Sequence, residues 1–296
     1  MMSLTGPRDV TRRADVTKVT PQTLLAQKNS ASPITALTAY DYPSARLVDE
    51  AGIDMVLVGD SVGMAVLGYE DTLSVTMEDM LHHARAVRRA VQRALLVVDM
   101  PYGSYHVSIE DTLRNALRLI KEAGAEAVKI EGGSLQVPAI RALTEAQIPV
   151  VGHIGLTPQS VLSQGGYRVQ GRSEAAAAQL LDDAVAVEQA GAIALVLEGI
   201  PRELAERITE ALAIPTIGIG AGPGCDGQIL VFHDVFGLSF RHPPKFVRTF
   251  ADAATLMRRG LEDFREAVEA QSFPADDESY HMPATASLEL VRESQA

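Results

Sequence analysis

The chain has 296 residues, 47% hydrophobic and 22% charged, which is ordinary for a soluble globular protein. A formal net charge of -12 argues against general nucleic-acid binding and against attraction to an anionic membrane surface, but not against small anionic substrates, which a metal ion or a few local bases can hold. The single cysteine, Cys225, excludes an intrachain disulfide and suits a reducing compartment. Residues 1–18 lack the apolar core of a signal peptide, and no apolar run approaches about 18 residues, so a cytoplasmic protein with no membrane span is expected.

Residues 1–19 are polar and aperiodic, with Arg8, Arg12 and Arg13, and are expected to form a flexible arm. Thr20-Pro21 opens a short helix to about Gln27, Thr20 as N-cap and Pro21 at the first helical position. From Pro33 strands and helices alternate. Strand character marks Ile34 to Tyr40, Asp54 to Asp60, Leu95 to Met100, Ala127 to Glu131, Pro149 to His153, Ala192 to Glu198 and Pro215 to Gly220. Helical patterns lie between them at Pro43 to Ala51, Thr76 to Val91, Ser108 to Ala123, Val137 to Ala146, Ser173 to Ala190 and Pro201 to Leu212. The segment Asp226 to Phe236 reads two ways. Its run Ile229-Leu230-Val231-Phe232 suits a strand, but Asp226 as N-cap and Gly237 as stop favour a short helix. That choice makes Lys245 to Arg248 the last strand and Ala251 to Ala270 a closing helix, and from Phe273 the chain becomes an irregular acidic tail, mobile over residues 283–296. The organisation expected is an arm (1–19), one catalytic domain (20–272) and a tail (273–296).

Continuous apolar strands separated by helices indicate a parallel sheet covered on both faces. Eight such units in roughly 240 residues fit a (β/α)8 TIM barrel. A doubly wound open sheet is the competitor, and it loses support because no G-x-G-x-x-G follows the first strand.

The strands share one feature: they exit on acids or a histidine, Asp60, Asp99, Glu131, His153 and Glu198. In a barrel that rim carries the chemistry. Any one of these residues is more often a cap or a turn residue, but the repetition in register is not explained that way. Side chains alternate along a strand, so Lys129 shares the face of Glu131. A lysine and several carboxylates in one low-dielectric mouth would be costly without a further cation. A magnesium-type site made from some of Asp60, Asp99 and Glu131 resolves this and leaves Glu198 free as a base. Elsewhere, Gly218 to Gly222 is a phosphate-binding loop or a tight turn, while Arg241, His242, Lys245 and Arg248 form a basic cluster that is a solvated face or a contact for an anionic tail. His82 and His83 are expected at the surface, and Cys225 receives no role.

At these residues the sequence resembles the ketopantoate hydroxymethyltransferase family. The likeness is carried by Thr38-Ala39-Tyr40-Asp41, by Val58 to Met64, by Val128-Lys129-Ile130-Glu131-Gly132-Gly133 and by Gly152 to Ser160. It continues through Gly165 to Arg172, Ile217 to Gly222, Asp226 to Val231 and Pro244-Lys245-Phe246. The resemblance implies a barrel of the phosphoenolpyruvate/pyruvate superfamily and a homo-oligomer, often a decamer of two pentamers. It implies transfer of a hydroxymethyl group from 5,10-methylenetetrahydrofolate to 3-methyl-2-oxobutanoate in pantothenate biosynthesis, with one Mg²⁺ per subunit. It assigns the metal ligands to Asp60, Asp99 and Glu131, the keto-acid contacts to Asp60, Ser61, Asp99 and Lys129, a place near the substrate to His153, and proton acceptance to Glu198. After the new bond forms, C3 carries no proton, so tetrahydrofolate cannot leave by elimination across C3. Either formaldehyde is released before attack or water displaces the folate afterwards. The rival readings are a metal-dependent lyase or phosphonomutase of the same superfamily, and a non-catalytic oligomeric barrel that binds a metabolite.

Overall fold

In the computed structural model, residues 17–28, 30 and 32–283 are described. Residues 1–16 of the expected arm (1–19) and residues 284–296 of the expected tail (273–296) lie outside the described residues. The strands are β1 Ile34–Thr38, β2 Met55–Val58, β3 Leu95–Asp99, β4 Ala127–Glu131, β5 Val150–Gly155, β6 Ala194–Glu198, β7 Thr216–Ile219 and β8 Gly227–Leu230. All neighbours pair in parallel, and β8 returns to β1, closing an eight-strand barrel in sequence order. The longer helices are α1 Pro21–Ala26, α2 Tyr42–Glu50, α3 Met77–Arg88, α4 Ile109–Ala123, α5 Val137–Glu145, α6 Glu174–Gln189, α7 Arg202–Ala211 and α8 Ala253–Glu269. No helix among the described residues is long and apolar enough to cross a membrane.

Local chemistry starts and stops these elements as expected. Thr20 and Thr76 each close a capping box, and Ser108 and Ser173 accept from the helix N3 amide. Gly124 ends α4 in the left-handed conformation.

The strands separate two apolar clusters. Val56, Val58, Leu96, Val98, Val128, Ile130, Leu195 and Leu197 face the helices. Ile34, Ala36, Met55, Leu57, Leu95, Val97, Ala127, Val151, Ala194, Val196, Ile217 and Ile229 fill the barrel, joined from below by Val19 and by Leu24 of α1. The last residues expected in the arm are therefore packed: the Val19 amide donates to Arg93 O at 2.8 Å, and Lys18 pairs with Glu126 at 2.6 Å.

Three expectations are corrected. The eighth strand is Gly227–Leu230, and Lys245 to Arg248 forms no strand. Asp226 does not cap a helix; its carboxylate accepts from the Thr216 amide at 2.8 Å and from Lys28 Nζ at 2.8 Å, tying the starts of β7 and β8. Gly227 is required where β8 meets β1, because a Cβ there would lie 2.5 Å from Ile34 O. The helix α8 forms close to its expected span but buries none of its residues, so it does not close this barrel.

Candidate active site

Strand parity sets the inner face of the barrel mouth. Val97, Ala127, Val151 and Val196 belong to the interior cluster, so Asp99, Lys129, Glu131, His153 and Glu198, at even offsets from them, also project inward. Register then makes neighbours: Asp99 lies beside Lys129, and Glu131 beside His153. Gly155 is the partner of Glu198. A Cβ at Gly155 would lie 2.2 Å from Glu198 O and its φ is +96°, so only glycine lets β6 approach β5 at this end.

The result is one connected cluster. Lys129 Nζ lies 3.2 Å from Asp99 Oδ1, 3.5 Å from Glu131 Oε1 and 3.0 Å from His153 Nδ1. His153 in turn lies 3.4 Å from Glu131 Oε1 through Nδ1 and 3.2 Å from Glu198 Oε2 through Nε2. Asp60, Asp99, Lys129, Glu131 and His153 are all buried; the Glu198 side chain keeps 15% of its surface exposed and forms the open edge. Ser61 is half-buried, with its Oγ 2.8 Å from Tyr40 Oη.

Each of the three candidate metal carboxylates has one oxygen held by an N–H donor. Asp99 Oδ2 accepts from the Asp60 amide at 3.0 Å, Glu131 Oε2 from the Gln159 amide at 2.9 Å, and Asp60 Oδ2 from Gln159 Nε2 at 2.8 Å. Asp99 Oδ1 is buried without a hydrogen bond, since Lys129 stands within ion-pair reach but out of line. Gln159 is itself held: Tyr105 Oη donates to its Oε1 at 2.6 Å.

Electrostatics divide the cluster. Burial, then the charges of Glu131 and Asp99, push the Asp60 carboxyl well above its ordinary value. Burial also raises Asp99, against the pull of Lys129. Burial works against Glu131 too, but the charge of Lys129, helped by the Gln159 amide, outweighs it and holds this carboxyl below its ordinary value. Burial lowers and the surrounding carboxylates raise Lys129, with a net shift upward. For His153, burial and Lys129 push down while Glu131 and Glu198 push up, to about 9. The 3.0 Å contact with Lys129 limits what that means: an ammonium donor at Nδ1 leaves the ring proton on Nε2, facing Glu198. We therefore assign the neutral ring, with Lys129 at Nδ1 and Glu198 beside Nε2 setting its tautomer.

Among the described residues no three His, Cys, Asp or Glu side chains stand, as they are, in a geometry that could hold a metal ion. Lys129 sits against Asp99 and Glu131, and Gln159 takes one oxygen of Asp60, so part of the negative charge is met by protein. The donor set nonetheless fits a hard divalent cation. It is all oxygen, it includes the orphaned Asp99 Oδ1, and Mg²⁺ needs only one or two carboxylates, completing its shell with water and substrate.

The structure thus brings together Asp60, Ser61, Asp99, Lys129, Glu131, His153 and Glu198. It leaves other candidates out. Gly220 and Gly222, with φ of +63° and +80°, take the turn role. Arg241, His242, Lys245 and Arg248 are exposed, as a solvated face requires, and Arg241 also donates to Tyr69 O and to Glu70 O, tying the segment after β8 to the loop after β2. His82 is exposed as expected, but His83 is half-buried, with Nδ1 2.7 Å from Tyr40 O. Cys225 is buried against the β7 backbone, where a Cβ on Gly218 would meet its Sγ at 3.0 Å. Sequence reasoning missed Gln159, Tyr105 and Tyr40 as members of the cluster. All three lie beyond strand ends; Tyr40 and Gln159 fall within the stretches that carry the family resemblance, but no local pattern marked any of the three as part of the site.

The chain as a whole is similar to known proteins. A family model described as Ketopantoate hydroxymethyltransferase matches residues 18–276. A 3-methyl-2-oxobutanoate hydroxymethyltransferase of Koribacter versatilis (strain Ellin345) is 61% identical over 277 residues, covering 93% of this chain and 94% of that one. Its counterpart in Thermoanaerobacter sp. (strain X514) is 55% identical over 263 residues, covering 89% and 96%. Among solved structures, 2,3-dimethylmalate lyase, a PEP mutase/isocitrate lyase superfamily member, aligns with a TM-score of 0.57 at 23% identity, over 84% of this chain and 85% of that one. Phosphonopyruvate hydrolase in complex with oxalate and Mg++ aligns with a TM-score of 0.54 at 15% identity, over 87% and 92%. At such identities these two structures establish the fold alone, an eight-stranded parallel barrel ringed by helices.

Proposed function

The chain belongs to the ketopantoate hydroxymethyltransferase family, and from that premise we propose how its mouth performs the transfer of a hydroxymethyl group from 5,10-methylenetetrahydrofolate to 3-methyl-2-oxobutanoate. The products are 2-dehydropantoate (ketopantoate) and tetrahydrofolate, a step of pantothenate biosynthesis. The observation that carries the reading is the convergence of Asp60, Asp99, Lys129, Glu131, His153 and Glu198 in one buried mouth of a family member.

In this reading Asp60, Asp99 and Glu131 hold Mg²⁺, which when bound supplies Lewis acidity toward the keto and carboxylate oxygens of the substrate. Lys129, kept charged by its carboxylate neighbours, attracts the substrate carboxylate. Asp60, Asp99 and Ser61 frame the keto acid, with Ser61 fixed by Tyr40. Glu198 accepts the single C3 proton of the keto acid. It suits this task because it stands at the open edge, apart from the carboxylates that share Lys129. His153 Nε2, 3.2 Å from Glu198 Oε2 but out of line for a hydrogen bond, is the group placed to orient that carboxylate toward C3. The C3 carbanion then attacks the one-carbon unit, and water supplies the oxygen of the new hydroxymethyl group.

Self-association belongs to the same reading. Met257, Leu261, Phe264 and Val268 recur at helical spacing along α8, and all are exposed. A second copy of this chain is the occupant we infer for that stripe, consistent with a homodecamer, and a cytoplasmic location completes the reading. The test is direct. Purified protein with Mg²⁺, 3-methyl-2-oxobutanoate and 5,10-methylenetetrahydrofolate should form ketopantoate, and EDTA should abolish the reaction. No ketopantoate from a folded, metal-loaded preparation would overturn the proposal. Conversion of phosphonopyruvate or oxaloacetate without folate would point to the lyase reading instead.

A further inference from the structure

The side chain of Gln159 reaches from the segment after β5 to groups on the two segments that follow β2 and β3, and the hydrogen bonds around it have one consistent direction. The Glu131 amide can only donate, and it lies 3.2 Å from Tyr105 Oη. Tyr105 therefore accepts there and sends its one proton to Gln159 Oε1 at 2.6 Å, in preference to Glu131 O at 3.3 Å. With Oε1 so engaged, Gln159 Nε2 donates to Asp60 Oδ2 at 2.8 Å and to Met100 O at 3.0 Å. A flipped amide would set its oxygen against two acceptors with no proton between them, so the network itself fixes the orientation. Gln159, Tyr105 and Asp60 are 4%, 4% and 3% exposed, so no water-filled rim softens these constraints.

We propose that Gln159, oriented by Tyr105, is a positioning residue that holds the Asp60 carboxylate in place for the cation and the keto acid, and that the two act as one unit. Nothing else fixes this carboxylate in the same way. Gln159 is the side chain that donates to the Asp60 carboxylate, at Oδ2. Removing the amide frees the carboxylate to rotate. Removing only the tyrosine hydroxyl leaves Gln159 Oε1 without its buried donor, so the amide is held less firmly against Asp60. The inference rests on Asp60 being a metal ligand, as in the function proposed above.

The experiment titrates the full-length protein with Mn²⁺ alone, followed by electron paramagnetic resonance, beside steady-state kinetics and thermal unfolding. In Gln159→Met, which keeps the side-chain length, the Kd for Mn²⁺ should rise about 10–100-fold, with a parallel loss in kcat/KM that excess metal partly restores. Tyr105→Phe should give a smaller change in the same direction. The double variant should bind Mn²⁺ no more weakly than Gln159→Met alone, because the tyrosine acts through the amide. An unchanged Mn²⁺ affinity in folded Gln159→Met, or losses that multiply in the double variant, would overturn the proposal. If Gln159→Met does not fold, Tyr105→Phe decides: weakened Mn²⁺ binding supports the proposal and unchanged binding refutes it. Wild-type protein that binds no Mn²⁺ would refute the metal reading first, and this proposal with it. Wild-type binding matched by the variants refutes the Gln159 role alone.

Discussion

The two ends of this barrel carry the same residue types and treat them in opposite ways. At the N-terminal end, Asp54 accepts from the Thr35 amide at 3.0 Å and hydroxyl at 2.8 Å and pairs with Arg93 at 2.8 Å. Asp226 similarly accepts from the Thr216 amide and pairs with Lys28 at 2.8 Å. Each carboxylate there has its own cation and its own amide. At the C-terminal end, Asp99 and Glu131 share the one lysine, Asp60 has an amide donor but no cation of its own, and Asp99 Oδ1 has no hydrogen bond. Polar groups matched one to one fasten the strands. Polar groups left short of cations, in a buried mouth, are matched to something that arrives from outside.

The comparison can be broken most severely at the lower end. Lys28→Met removes the cation from a buried pair in which both side chains are more than nine-tenths buried, and should cost about 3–5 kcal/mol in chemical denaturation. Turnover per folded molecule should stay the same. Lost turnover at full stability would show that the floor is not merely structural.

At the mouth the stability effect should be smaller and opposite in sign. Burial and like charges oppose the ionised form of Asp60, so Asp60→Asn should raise the melting temperature of metal-free protein by about 2–4 °C, equivalent to about 1 kcal/mol. The same substitution should abolish turnover. A melting point that falls sharply would place Asp60 with the fasteners.

The smallest expected effect is in the pH dependence. Burial of Asp54 is outweighed by Thr35 and Arg93, which hold its folded value below the ordinary 3.8. Its contribution to stability is therefore full above 3.8 and disappears as pH falls through the lowered folded value. Asp60 and Asp99, raised in the fold, run the other way: their ionisation opposes folding, and the penalty is relieved as pH falls through their folded values toward 3.8. Unfolding of metal-free protein in EDTA should show Asp54→Asn flattening the acid limb and Asp99→Asn removing the destabilisation above it.

Much of the fold and of the mouth was legible because both rest on strand periodicity. Apolar runs of four to six residues between capped helices located β1 to β7 within a residue or two at their starts, and alternation put Lys129 on the face of Glu131. The eighth strand was misread because Asp226 looks like a helix cap in isolation. Its carboxylate is instead taken by Thr216 and Lys28, residues distant in sequence. Gln159 and Tyr105 escaped for a similar reason. They act from loops, with partners fixed only by closure of the barrel, and no local period marks them.

The central claim is that Glu198 takes a proton from C3 of the keto acid in this mouth. Incubating 3-methyl-2-oxobutanoate with protein and Mg²⁺ in D₂O, and following the C3 proton by NMR, tests it without folate. The wild-type protein should exchange that proton. Glu198→Gln should slow exchange about 10²–10⁴-fold while still binding the keto acid. Exchange at an undiminished rate in Glu198→Gln, or none in the wild-type protein at saturating metal, would contradict the claim.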